Sequence, residues 1–286
     1  MKARNEITFR ASGIGALMTD GRGSTLTDNM LKELEDFKAK LRLGGKLTDA
    51  QKKKFDDYIA RQNAPFELSD TAKSFVKENW LYNEKGFYKP LKTQFTDKGI
   101  FNEEEGLSLL SRVHGNFYKK NIARKTVGNK TGECDVMHKE GGKKIIIDTK
   151  NSWDALTFMN AKPEKIYLSQ GDTYLDLYEA DEFWLAYTLT DCPEHLLNKQ
   201  KEMLFRQYSD QSMSPEELGL LEEKMEPLFA QIERNLIYSN SKLYTEEERV
   251  KIFKFERCDN RIKLLDERVE HALDFYPSIK LNDVIF

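Results

Sequence analysis

Apolar residues recur at helical spacing through the first third of the chain. Leu31, Leu34, Phe37 and Leu41 fall three or four apart, and Gly44-Gly45 follows as a stop. Thr48-Asp49-Ala50-Gln51 has the form of a capping box, which starts a second helix running to about Asn63 before Ala64-Pro65 ends it. A third helix begins at a Ser69 or Asp70 cap and carries Phe75 and Trp80. Residues 83–100 read as loop or short strands. Glu103 to about Asn121 reads as a helix with Leu107, Leu110, Val113 and Phe117 on one side.

The pattern changes near residue 131. Thr131 to His138 and Lys143 to Thr149 have strand composition and are joined by Glu140-Gly141-Gly142. Ile145-Ile146-Ile147 is a continuous apolar run, as expected of a strand buried on both faces. Pro163 suits the first turn of a helix reaching about Ala180, and Glu182 to Leu189 reads as a further strand. Residues 194–240 are charged and heptad-like, which predicts two long helices. Arg249 to Arg257 alternates as a late strand, and a last helix runs from about Asn260 to Tyr276. The order predicts an α/β (α+β) fold with a central mixed β-sheet flanked by helices.

Composition narrows this picture. The 286 residues carry 45 Lys plus Arg against 48 Asp plus Glu, a net charge of −3, so any nucleic-acid surface is expected to be local. Candidates are Tyr118-Lys119-Lys120 with Arg124-Lys125, and Lys52-Lys53-Lys54, whose plain reading is a solvated helix face. No stretch has the roughly 18 apolar residues of a membrane helix. No apolar segment follows Met1-Lys2-Ala3-Arg4, so no signal peptide is expected, and the default location is the cytoplasm. Three cysteines (Cys134, Cys192, Cys258) without CxxC spacing fit neither a disulfide scaffold nor a zinc finger. The four histidines (His114, His138, His195, His271) show no paired ligand spacing.

The hairpin holds the chemistry. A two-residue turn at Gly141-Gly142 pairs Glu140 with Lys143. Continued along the ladder, the same register sets Asp135 opposite Asp148 and Glu133 opposite Lys150. Period-two alternation puts Asp148 and Lys150 on one face. Facing carboxylates with Cβ atoms roughly 5 Å apart repel unless a cation lies between them, and oxygen ligands suit Mg²⁺ or Mn²⁺. A metal on two carboxylates beside a lysine is a set of parts for phosphodiester hydrolysis. The competing reading is an ordinary hairpin with surface ion pairs. Against it, an acid following three isoleucines sits at the end of a buried strand, where it needs a partner.

Asp135, twelve residues and then Asp148-Thr149-Lys150 resemble the D…(D/E)xK core of the PD-(D/E)XK nucleases. Gln170-Gly171-Asp172-Thr173-Tyr174, twenty residues past Lys150, resembles the QxxxY helix of the RecB-type branch. Gly99-Ile100-Phe101-Asn102-Glu103 resembles the G-x-x-x-E motif of the lambda exonuclease (YqaJ-like) subgroup, and Arg10-Ala11-Ser12-Gly13-Ile14-Gly15 its ITAS-E segment. Cys134 stands at the motif's Pro, Asp148 at its usual Glu, and residues 194–240 are longer and more helical than that subgroup requires.

The resemblance implies a restriction-endonuclease-like core within a single nuclease domain. That domain divides into a helical region (1–98), the core (99–190), a helical insertion (191–245) and a closing strand and helix (246–286). It implies a Mg²⁺- or Mn²⁺-dependent exonuclease acting on double-stranded DNA ends. Asp135, Asp148, Glu103 and the Thr149 carbonyl would hold metal, Lys150 would position or activate water, and Gln170 would support it. Glu104, Glu105 and His114 are rivals to Glu103 as the first ligand. Ser12 with Arg10 or Arg4 would hold a terminal phosphate, Ser12 being equally readable as a helix N-cap. Tyr174 would face the site beside DNA or lie in the core. A ring-shaped homo-oligomer, a strand-annealing partner and a role in phage or mobile-element recombination are further implications. An endonuclease or nickase on the same core, or a non-catalytic DNA-binding protein, are the alternatives.

Overall fold

A computed structural model describes residues 2–21, 26–88 and 93–282. The chain opens with β1 (Phe9–Arg10) and a single turn, α1 (Ala11–Ile14), before three helices: α2 (Asp28–Arg42), α3 (Asp49–Asn63) and α4 (Asp70–Lys85). Their starts follow the caps. The Thr27 hydroxyl accepts from Met30 N–H, Thr48 and Gln51 form the reciprocal box, and Ser69, not Asp70, caps α4. Each such cap is worth about 1 kcal/mol. Leu34 and Phe37 of α2 are buried with Tyr58 of α3, whereas Leu31 and Leu41 stay exposed. Val76 and Trp80 of α4 join Phe9, Ile14 and Leu17 in a second cluster.

Next come α5 (Gln94–Phe101) and α6 (Glu103–His114). The loop or strands expected over 83–100 are therefore helix at both ends, and residues 89–92 lie outside the described residues. The α5 helix is short and is held by burial of Lys98, which periodicity does not reveal. The helix expected to reach Asn121 stops at His114, because Gly115 turns left-handed at φ 64°. Phe117, placed on its apolar face in the sequence reading, is 86% exposed.

The strands are β2 (Lys125–Val127), β3 (Lys130–Gly132), β4 (Val136–Glu140) and β5 (Lys143–Asn151). After them lie α7 (Ala155–Asn160), α8 (Lys165–Tyr178), β6 (Glu182–Thr188), α9 (Glu194–Tyr208), α10 (Pro215–Leu236), β7 (Val250–Glu256) and α11 (Asp259–Phe275). The single strand expected over Thr131–His138 is two, in different sheets, with a bend at Asp135. Glu164, not Pro163, precedes the first turn of α8. The unexpected α7 is capped by Asp154.

The main sheet has the order β4-β5-β6-β7, with β5 and β6 parallel and the outer pairs antiparallel. The turn at Gly141 (φ 58°) and Gly142 (φ 83°) pairs Glu140 with Lys143, and the expected register holds back to Val136 opposite Ile147. The two faces of β5 divide the core. Ile145 and Ile147 pack with Leu107 and Leu110 of α6, while Ile146 packs with Tyr174 and Leu175 of α8. A small sheet, β1-β3-β2, lies beside α8. Among the described residues, no helix is long and apolar enough to cross a membrane.

Candidate functional site

Asp148 ends the apolar run of β5 and projects on the α8 face, 2% exposed. Three contacts define it. Lys150, two residues on, brings its Nζ to 2.6 Å from Asp148 Oδ2. Gln170 donates from Nε2 to Asp148 Oδ1 at 3.3 Å. Asp135 lies beside it, its Oδ2 accepting from Thr149 N–H at 2.6 Å and from the Thr149 hydroxyl at 2.8 Å. The ladder ends at Val136, so the chain bends at Asp135 and the carboxylate folds onto Thr149 instead of continuing the strand pairing. Glu133 consequently leaves the patch the hairpin arithmetic gave it. Its carboxylate is near Arg124 at 3.5 Å, and Lys150 pairs with Asp148.

Electrostatics follow from burial. Burial and the neighbouring Asp148 push the Asp135 carboxyl up to about 7. Burial pulls Lys150 down, but Asp148 and then Asp135 outweigh it and hold the ammonium above its ordinary value. Lys150 is therefore a cation at neutral pH, and its Nζ lies 5.0 Å from the centre of the Tyr167 ring.

Gln170 is held from behind. It donates to the Tyr174 hydroxyl at 2.9 Å, and that hydroxyl donates to the Glu133 carbonyl at 3.0 Å. Both side chains are buried. Tyr174 is thus a strut in the core, and the DNA-facing role is corrected to that. Gly171 lets α8 approach so closely: a Cβ there would lie 2.3 Å from the buried Phe183 ring.

The opposite face carries α6. Glu103, at its first turn, pairs with Lys120 at 3.1 Å. Among the described residues, no three His, Cys, Asp or Glu side chains gather as a metal cluster. Glu104 and Glu105 are exposed, Glu105 pairing with Arg112, so Glu103 is the half-buried member of the three. His114 lies at the far end of α6, its Nδ1 3.0 Å from the Tyr118 hydroxyl and its ring against Trp184. His138 rests on Tyr118, His195 on Phe101 and His271 on Phe66.

Several positioning residues escaped sequence reasoning. Asn151 donates to the Asn102 carbonyl at 3.1 Å and its Oδ1 accepts from Thr188 at 2.7 Å and Thr190 at 3.1 Å. Asn102 donates to the Thr190 hydroxyl at 2.8 Å. This network ties the residue before Glu103 to the residue after Lys150. Gly106 is the trace it leaves in the sequence: a Cβ there would meet Thr188 Oγ1 at 2.9 Å. Lys98, fully buried, donates to the Trp153 and Thr190 carbonyls at 2.8 Å each, and burial lowers it to about 8. No pattern marks it.

At the N-terminus, Ser12 is exposed on α1, which packs on α8. Ser12 does not cap it, since Arg10 holds that position. Arg10 is exposed, donating to the Tyr82 hydroxyl at 3.3 Å. Arg4 pairs with Glu270 and Asp274 of α11. Of the lysine run, Lys54 pairs with Glu33, as a solvated helix face would.

The donor set suits a hard divalent cation. Asp148 is buried with the Lys150 ammonium 2.6 Å from its Oδ2, and that one ammonium faces two carboxylates, because the half-buried Asp135 lies beside it. Two adjacent carboxylates that share one ammonium in a largely desolvated site would be relieved by a cation held on oxygen.

No family model matches the chain, and no curated protein matches it in sequence. Solved structures do match. A phage related exonuclease from Haemophilus somnus 129PT superposes with a TM-score of 0.60 at 20% identity, covering 95% of this chain and 94% of that one. An alkaline exonuclease (LHK-Exo) from Laribacter hongkongensis superposes with a TM-score of 0.50 at 10% identity, covering 95% and 88%. The chain thus has, over nearly its whole length, the fold of these two exonuclease structures.

Proposed function

We propose that the protein is a divalent-metal-dependent deoxyribonuclease that hydrolyses phosphodiester bonds from the ends of duplex DNA. The observation that carries this reading is the adjacent Asp135–Asp148 pair with Lys150 and Gln170, at the end of a central strand in a fold shared with exonucleases. Asp135, Asp148 and the Thr149 carbonyl would hold Mg²⁺ or Mn²⁺, joined by Glu103. The chemistry such an ion supplies is a water made nucleophilic near neutral pH and a counter-charge for the phosphoryl oxygens.

The side chains do the rest. Lys150, a cation at rest, is suited to orienting the attacking water and balancing charge on the phosphoryl group, and less to removing a proton. Gln170 fixes the orientation of Asp148, and Tyr174 fixes Gln170. The exposed Ser12 and Arg10 are offered to a terminal phosphate. Preference for ends, a ring-shaped oligomer and an annealing partner rest on the sequence resemblance.

A linear duplex labelled at one 5′ end and a closed circular duplex, each with Mg²⁺ and with chelator, test this reading. Metal-dependent loss of the linear duplex with the circle spared is the expected result. Cutting of the circle would make the protein an endonuclease. Binding of DNA without cleavage of either would make it a binding protein on a nuclease fold.

A further inference from the structure

Lys120 is the unexplained charge at the site. Its backbone is fixed on the outer edge of β4: the residue bridges to Val136, and the next residue, Asn121, donates its N–H to the Asp135 carbonyl at 2.7 Å. The base of the side chain is therefore as immobile as Asp135 itself. The ammonium reaches Glu103 at 3.1 Å, and its charge also interacts with Asp135. It is thus within reach of the charge on both Glu103 and Asp135.

We propose that Lys120 is a resident cation that holds Glu103 aside until a divalent metal ion replaces it, so that this lysine sets the affinity of the centre for metal. The proposal rests on the metal-centre reading above. Both partners are about a third exposed, 38% for the Lys120 side chain and 32% for Glu103. Water screens such a pair, which leaves it weak enough to exchange. A divalent ion on two carboxylates would gain more from a third carboxylate than an ammonium does from one, because its charge is doubled and Asp148 is buried. The hydrogen bonds of Asn102 and Asn121 hold the backbone beside each partner, so the exchange is assigned to the two side chains. The Lys120–Glu103 pair, with Glu103 not gathered into a cluster with Asp135 and Asp148, is then the metal-free arrangement of a ligand that the exchange recruits.

The test is calorimetric titration of the full chain with MnCl₂, without DNA. Lys120→Met should bind Mn²⁺ about two- to fivefold more tightly than wild type, the range expected for loss of a partly exposed ion pair. Lys120→Arg should stay near wild type, and so should Lys119→Met, which removes the adjacent exposed charge. In a Glu103→Gln background the gain from Lys120→Met should vanish, because the competition acts through Glu103. Equal tightening in that background would show a general charge effect and overturn the proposal, as would unchanged affinity in Lys120→Met. Asp148→Asn separates the two levels. If wild type binds Mn²⁺ and Asp148→Asn does not, an inert Lys120→Met sinks only the exchange. If wild type gives no binding heat, the metal-centre reading falls with it.

Discussion

The two faces of β5 are fastened in opposite ways at the same end of the strand. On the α8 face the contacts are dry and closed, running from Asp148 through Gln170 and Tyr174 to the Glu133 carbonyl, with Gly171 pressed on Phe183. On the α6 face the backbone is just as fixed, through Asn102 and Asn151, but the acidic side chain sits in a half-solvated pair with Lys120. A buried polar chain is stiff, and breaking one member orphans the others. A screened ion pair contributes little and is readily remade. The contrast separates a face that keeps geometry from a face that can change partner, and substitutions on the two should differ accordingly.

The largest effect is expected at Gly171. Gly171→Val places a branched side chain where Phe183 leaves no room, and both elements are pinned. A loss of about 3 kcal/mol in urea unfolding is expected. A loss below about 0.5 kcal/mol would show that the α8 face is not tightly packed.

Asp135 tests the electrostatic cost of the site between the two faces. Its folded value of about 7 stands above the ordinary 3.8, so the folded protein keeps a proton that the unfolded chain releases. Wild type therefore loses stability as pH rises from about 4 through 7, in the absence of metal. Asp135→Asn carries no such penalty. At pH 8 with chelator it should be more stable than wild type by on the order of 2 kcal/mol, the gain fading towards pH 4. A difference that does not change with pH in thermal melts would contradict the shift.

Tyr174→Phe should cost about 1–2 kcal/mol, because it leaves the Glu133 carbonyl without its donor. On the other face, Glu105→Ala breaks an exposed pair with Arg112 and should stay within about 0.5 kcal/mol of wild type. Equal costs for the two, read from the same urea curves, would erase the contrast between the faces.

What was legible in the sequence follows the range of the forces involved. Caps at Thr48 and Ser69 and the glycine turn at 141–142 are local chemistry, and the structure has them in place. The register of the hairpin follows from its turn, so Asp148 and Lys150 on one face were also legible. Where pattern failed, contact at long range decided. The bend that parts Asp135 from the ladder depends on Thr149, and α5 depends on a lysine buried against Trp153 and Thr190. Phe117 had the right spacing for a helix that Gly115 ends. The Asn102–Asn151 network joins residues 49 apart and has no periodic signature beyond Gly106. Glu103 was singled out by a motif, yet its partner in the structure is a lysine that no motif includes.

The Asp148–Lys150 pair is proposed to act on a phosphodiester. This is tested most directly by the rate of nucleotide release from a linear duplex in saturating Mg²⁺, comparing wild type with Lys150→Ala and following the melting of both proteins. A fall of at least about a hundredfold is expected, the scale of losing a positioned proton-transfer or charge-stabilising group, with the variant still folded. A folded Lys150→Ala within about threefold of wild type, well short of that scale, would contradict it.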